Sequence, residues 1–168
     1  MSAFFKSIFG PIAEFLESPV KRCFLLVGIL TIVALFEFLS LGLARRTFVF
    51  YTISDGIIVV EDRMLKHSKT REGDIIRYVE ETLLGPVSPE LLPLITRGAK
   101  LKSLLYRNGV VYADLTSEAA LPPVEGGKTK ENFHTLYNGI LRNFSFVKDV
   151  QFFIDGTSVY AGEFQRES

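Results

Sequence analysis

The sequence predicts an α+β domain carried behind a single N-terminal transmembrane helix. Three observations carry that reading: an apolar run bounded by basic pairs, three Asx-Gly dipeptides set between apolar or β-branched runs, and two segments whose apolar residues recur at helical spacing. The apolar run, Cys23 to Ala44, holds twenty-two residues with one charge, Glu37, between Lys21-Arg22 and Arg45-Arg46. As a helix it would reach about 33 Å, against a hydrocarbon core of roughly 30 Å. A cleavable signal peptide is the competing reading, because Gly42-Leu43-Ala44 offers small residues to a peptidase. The run exceeds the roughly 7–15 residues usual for such a segment, and twenty-two residues precede it, so an uncleaved anchor at 23–44 is expected.

Cys23 opens the run instead of ending it, so it is not placed as a lipobox cysteine, and as the single cysteine it has no internal disulfide partner. Lys6, Lys21 and Arg22 on one side balance Arg45, Arg46 and Arg63 on the other, and the positive-inside rule does not orient the span. Glu37 lies about two turns from the far end, within reach of headgroups or a partner helix. A proton relay would need more polar partners than Thr31 and Ser40. Before the span, Phe4, Phe5, Ile8, Phe9, Ile12, Phe15 and Leu16 describe an amphipathic segment over 1–22, interrupted near Gly10-Pro11 and suited to the membrane interface.

Residues 45–168 are enough for one domain and one core. They carry sixteen Lys plus Arg against sixteen Asp plus Glu, so no basic field gathers phosphates and nucleic acid is not expected as a partner. The cluster Arg63, Lys66, Lys69 and Arg71 reads as a solvated loop.

The first element of the domain is a hairpin of Thr47–Ser54 with Ile57–Arg63 about Asp55-Gly56. A helix over Gly73–Leu84 follows, carrying Ile75, Ile76, Val79, Leu83 and Leu84 on one face and ending at Gly85-Pro86. Ser88-Pro89-Glu90 has the form of N-cap, N1 and N2 of a short helical turn bearing Leu91, Leu92 and Ile95. A second hairpin pairs Leu101–Arg107 with Val110–Leu115 about Asn108-Gly109. A second helix starts after Gly126-Gly127 and runs to Asn143, with Phe133, Leu136, Tyr137, Ile140, Leu141 and Phe144 on its stripe. A third hairpin pairs Val150–Ile154 with Thr157–Phe164 about Asp155-Gly156. Each Asx-Gly pair suits a two-residue type I′ turn, which requires positive φ at both central positions.

The pieces Leu83-Leu84-Gly85-Pro86, Leu101–Leu115 and Leu136–Gly156, in this order, resemble the GerMN domain of sporulation and germination proteins. In that family an LLxGP helix end, a hairpin closing on a VDLS-like segment and a helix-to-strand passage recur. Here they stand as LLGP, YADLTS and ILRNFSFVKDVQFFIDG. The resemblance covers approximately residues 47–160. Two positions depart from the pattern: Gly139-Ile140-Leu141 stands where Asn-Thr-Leu is usual, and Ala113 where Val precedes Asp. The resemblance implies an extracytoplasmic domain of a bacterial cell envelope, held at the cytoplasmic membrane and similar to ring-building modules. Its implied partners are other envelope proteins or copies of itself, with peptidoglycan as the alternative ligand, and it implies no enzyme and no cofactor.

The residues agree with the last point. His67 falls in the basic loop and His134 beside a helical stripe, no G-x-S-x-G is present, and one cysteine with two separated histidines offers no zinc set. Gly126-Gly127-Lys128-Thr129 is not a phosphate loop, since Pro122 stands at the required glycine and Leu121-Pro122-Pro123 forbids a strand leading in. Of the carboxylates near one another, Asp155 belongs to its turn and Asp114 is expected to cap the turn at Thr116. With these accounted for, Glu118 and Asp149 leave no pair for glycan cleavage. No catalytic, cofactor-binding or metal-binding residue is expected. Tyr106, Tyr112 and Tyr137 are the stacking platforms a wall-binding module would use.

Overall fold

The computed structural model describes residues 18–40, 42–124 and 127–164, and the chain divides into two units at Gly42. The predicted amphipathic segment lies outside the described residues except for residues 18–22. Those residues enter the long helix α1 (Pro19–Ser40), in which Pro19 stands at the first position, where its fixed φ suits a helix. Ser18 precedes it and accepts the Arg22 N–H at 3.1 Å. Helix α1 therefore sits about four residues before the predicted 23–44. Gly42 takes a left-handed conformation (φ 53°), and Leu43 and Ala44 belong to a strand. They pair with Lys66 and Leu65, because the alternation that buries Phe48 and Phe50 extends back to the start of the strand.

The second unit contains two sheets and two helices. Strand β1 (Leu43–Thr52) pairs antiparallel with β2 (Ile58–Lys66) and, at its far end, with the two-residue β3 (Leu91–Leu92), giving the order β2-β1-β3. Between β2 and β3 in sequence lies α2 (Arg71–Leu84). Thr70 caps it by accepting the Gly73 N–H, Glu72 and Asp74 sit favourably in its first turn, and Gly85 (φ 88°) closes it. Strands β4 (Leu101–Arg107) and β5 (Val110–Leu115) form the second hairpin over the predicted residues. Helix α3 (Thr129–Asn143) then carries the chain to β6 (Asp149–Ile154), which lies parallel to β5, and β7 (Thr157–Val159) completes the order β4-β5-β6-β7.

Local turn chemistry decides where the hairpin expectations hold. Asn108-Gly109 and Asp155-Gly156 both have positive φ at the two central positions, as a type I′ turn requires. At Asp55-Gly56 only the glycine does. There the loop spans residues 53–56, closed by Thr52 N–H to Ile57 O at 2.9 Å and by the Asp55 carboxylate, which accepts from the Thr52 hydroxyl and the Ile57 N–H. The expected helical turn at Ser88 is instead a tight turn into β3, because pairing Leu91 with Thr52 buries its side chain and closes the sheet. The third hairpin is shorter than expected. After Val159 the chain turns at Tyr160 (φ 55°), so that the rings of Tyr160 and Phe164 pack in tilted contact against Phe133 and Tyr137 of α3.

One core serves both sheets. Its spine is a run of rings from β1 through α2 to the end of α3. Phe48 stacks on Tyr78 at 4.7 Å, and Tyr78 meets Phe144 edge-on at 5.7 Å. Phe144 contacts Phe146, and Phe146 contacts Tyr106 of β4. Arginines cover the rings, with Arg63 over Phe48, Arg46 over Phe144 and Arg71 over Phe146. Edge-on and offset rings with guanidinium caps attract beyond their buried area.

At the centre, the Thr47 backbone is held from two helices. The Asn143 amide oxygen accepts the Thr47 N–H at 2.9 Å, while Asn143 Nδ2 donates to Thr47 O at 2.8 Å and to Gly139 O at 2.9 Å. The Tyr78 hydroxyl donates to the same Thr47 carbonyl at 3.2 Å. This geometry requires a glycine at 139. A Cβ there would overlap the Tyr78 hydroxyl oxygen and lie 3.4 Å from its Cζ. Gly139→Ala should destabilise the domain by about 1–3 kcal/mol, as overpacking does, and Tyr78→Phe should relieve part of that cost. Chemical denaturation of the two single variants and the double variant measures it; strictly additive losses would contradict the contact.

Burial pushes the Tyr78 hydroxyl up to about 12. Because the folded value exceeds the unfolded one of about 10, stability is complete below pH 10 and falls as pH rises toward 12. Denaturation across that window should show a smaller loss for Tyr78→Phe than for the native chain.

Candidate functional site

Among the described residues, the outer edges of β1 and β4 are each engaged at their middle by a helix side chain, and the other edge strands are short. In β1, the outward amide of Thr47 is taken by Asn143 and the far end pairs with β3. In β4, the outward N–H of Tyr106 donates to Glu72 Oε2 at 2.9 Å. Strands β3 and β7 have two and three residues. Strand β2, with nine residues, is different.

Thr47 faces Asp62 in the register, yet its N–H and C=O turn away from β2, so this is a non-hydrogen-bonded pair. The backbone groups of Asp62 therefore point outward, and by the two-residue period so do those of Ile58, Val60 and Met64. Lys66 has the same parity, and its carbonyl accepts from Arg77 at 2.9 Å. Among the described residues no hydrogen bond reaches the outward groups from Ile58 to Met64. The side chains of that parity face solvent, with Ile58, Val60 and Met64 at 61, 50 and 59% exposure, and Ile53 and Ile57 at the hairpin tip are exposed as well. Such an edge is a template for another chain.

On its inner face, β2 is held firmly. Arg63 lies under the sheet with its side chain 13% exposed, not in a solvated loop, because β2 continues to Lys66 and turns odd-numbered residues inward. It pairs with Glu61 at 2.7 Å and Glu81 at 3.3 Å, and donates to Gly85 O at the end of α2 at 2.8 Å. Burial pushes the Glu61 carboxyl up, but the Arg63 hydrogen bond and the N–H groups of Val87 and Ser88 outweigh it and hold the group below its ordinary range.

Two grooves adjoin this strand. One, of about 360 Å³, lies between β2 and α2 and is lined by Met64, Leu65, Arg77, Glu81 and Leu84. The other, of about 650 Å³, runs from Leu83 and Leu84 to Ala99 and Leu101, with Arg97 and Lys100 on its rim. Glu80 and Leu84 border both, and Leu84 is 76% exposed.

The residues weighed for chemistry stay apart. His67 bonds Asp74 at 3.0 Å at the start of α2, while exposed His134 lies against Asn138 on α3. Asp114 caps the β6–β7 turn by accepting the Gly156 N–H, not the turn at Thr116, because the parallel pairing of β5 and β6 brings that turn beside it. Asp155 meets Lys102 and Asp149 accepts from Tyr137, while Glu118 lies in the short 3-10 helix Ser117–Ala120. Gly126 lies outside the described residues, and Gly127 and Lys128 form the loop before α3. No group of three metal-ligating side chains occurs among the described residues. Tyr137 is buried and Tyr106 packs on Phe146, so neither presents a stacking platform, and Tyr112 is half-buried on β5. Glu37 is exposed on α1.

Two sheets and two helices, with one helix among the described residues long and apolar enough to cross a membrane, define the class as a mixed α+β module. The Germane family, described as sporulation and spore germination, matches residues 49–160, and the chain belongs to that family, which is not a known enzyme family. The fold is similar to the first GerMN domain of the sporulation protein GerM from Bacillus subtilis, with a TM-score of 0.53 and 16% identity over 70% of this chain and 86% of that one. It is also similar to the tandem GerMN domains of that protein, with a TM-score of 0.53 and 13% identity, covering 70% of this chain and 41% of the tandem. No curated protein matches the chain.

The Glu61 network sets an acid limit. With its folded pKa depressed, its contribution is present above the ordinary value of 4.5 and is lost as pH falls below it. Glu61→Gln should lower Tm at pH 7 and flatten the further decline between about pH 5 and 3, read by thermal denaturation at each pH; an unchanged slope would contradict the coupling.

Proposed function

We propose that the chain is a single-pass protein of the cytoplasmic membrane whose Germane domain stands outside the cytoplasm and docks other envelope proteins in an assembly, copies of itself included. The observation that carries this reading is the exposed apolar face of the first hairpin, Ile58, Val60 and Met64 with Ile53 and Ile57 at its tip. Contiguous exposed apolar side chains on a small domain mark interaction surfaces. Helix α1 supplies the anchor, being long and apolar enough to cross a membrane. An anchor confines the domain to two dimensions, which raises its effective concentration toward neighbours in the same membrane.

Alkaline phosphatase and green fluorescent protein fused after Ser168 should give an active phosphatase and a dark fluorophore. A photo-crosslinking residue at Val60 should then yield protein adducts in intact membranes, reduced severalfold by Ile58→Ser with Met64→Ser. Fluorescence, or retention on purified sacculi with no protein adduct, would overturn the reading.

A further inference from the structure

We propose that the free edge of β2 accepts a strand from a partner protein, an extended segment whose alternate residues are apolar and whose intervening residues include carboxylates. This rests on the docking function above and assigns its mode and the chemistry of its partner. The outward N–H and C=O groups of Ile58, Val60, Asp62 and Met64 have no partner among the described residues, whereas the outward amides of Thr47 and Tyr106 on other strands are each met by a side chain. An added strand would satisfy them as a ladder.

The same placement specifies its side chains. Residues of the added strand turned to the inner side would lie beside Leu65 and over the groove between β2 and α2, whose walls include Met64, Leu65 and Leu84. Leu84, highly exposed, separates that groove from the larger one floored by Leu83, Ala99 and Leu101, so the apolar strip continues past the strand. Apolar residues at alternate positions fit this strip.

Charge selects among such segments. Lys66, Arg97 and Lys100 line the two grooves and make no ion pair among the described residues. Of the two acidic side chains there, Glu81 is engaged by Arg63, leaving Glu80. These cations do not face the intervening positions of the added strand residue for residue, but the field around the edge is cationic and favours an acidic strand over a basic one.

The test uses the full-length chain in detergent micelles and two labelled peptides, one alternating valine with glutamate and one alternating valine with lysine. The glutamate peptide should bind saturably and at least tenfold more tightly than the lysine peptide. Val60→Pro, which removes an outward N–H while leaving the β1–β2 bonds in place, should weaken binding at least tenfold with Tm nearly unchanged. Arg97→Glu with Lys100→Glu should reduce the preference for glutamate severalfold, by reversing the field around the edge.

Absence of saturation up to about 1 mM peptide, an affinity of roughly −4 kcal/mol, would overturn the proposal. So would binding that Val60→Pro leaves intact. Copies of the chain crosslinking through β2 with no peptide binding would overturn the acidic-strand partner in favour of a second copy, and adducts at Val60 would still uphold the docking function.

Discussion

The backbone amide of Thr47 is the point on which the domain is organised. Its carbonyl receives hydrogen bonds from Tyr78 of α2 and Asn143 of α3, and its N–H is taken by the same Asn143 side chain. A buried peptide group left without partners is costly, so closing the edge of β1 in this way ties both helices to one residue of the first sheet. The ring column Phe48, Tyr78, Phe144 passes through the same place. The crossing leaves no room for a Cβ at residue 139. Gly139 thus answers the bulk of Tyr78 on the opposing helix.

Closing β1 with a side chain instead of a strand has a consequence for β2. Pairing alternates along an antiparallel ladder, so the register that turns Thr47 toward Asn143 turns Asp62 and its even-numbered neighbours toward solvent. Arg63 and Glu61 hold the inner face of β2 against α2 and Phe48, so the edge is presented on a rigid element. The apolar outer side chains and the open backbone belong to the same four positions, Asp62 apart in character.

Much of this was legible in the residues. Asn108-Gly109 and Asp155-Gly156 specify type I′ turns by their need for positive φ, and Leu84-Gly85-Pro86 ends α2 by the same logic. The parallel pairing of β5 with β6 was not legible, because hairpin signals are local whereas a crossover is set by α3 packing between distant strands. Arg63 read as part of a basic loop, since its ion pairs with Glu61 and Glu81 and its ring contacts depend on a strand three residues longer than the hairpin signal showed. Ser88-Pro89-Glu90 carries the marks of a helix start, but burial of Leu91 in the sheet prevailed over local propensity. The candidate edge was half visible: Ile58, Val60 and Met64 share one parity, which marks a common face, but nothing in the chain's own residues says that face is uncovered.

Amide hydrogen exchange read residue by residue tests the central claim most directly. In the chain held in detergent micelles, Thr47 should exchange only through global unfolding while Val60, Asp62 and Met64 exchange orders of magnitude faster, since their N–H groups have no partner. Protection of those three amides equal to that of Thr47 would show the edge already occupied within the fold, and would contradict the assignment of β2 as the docking strand.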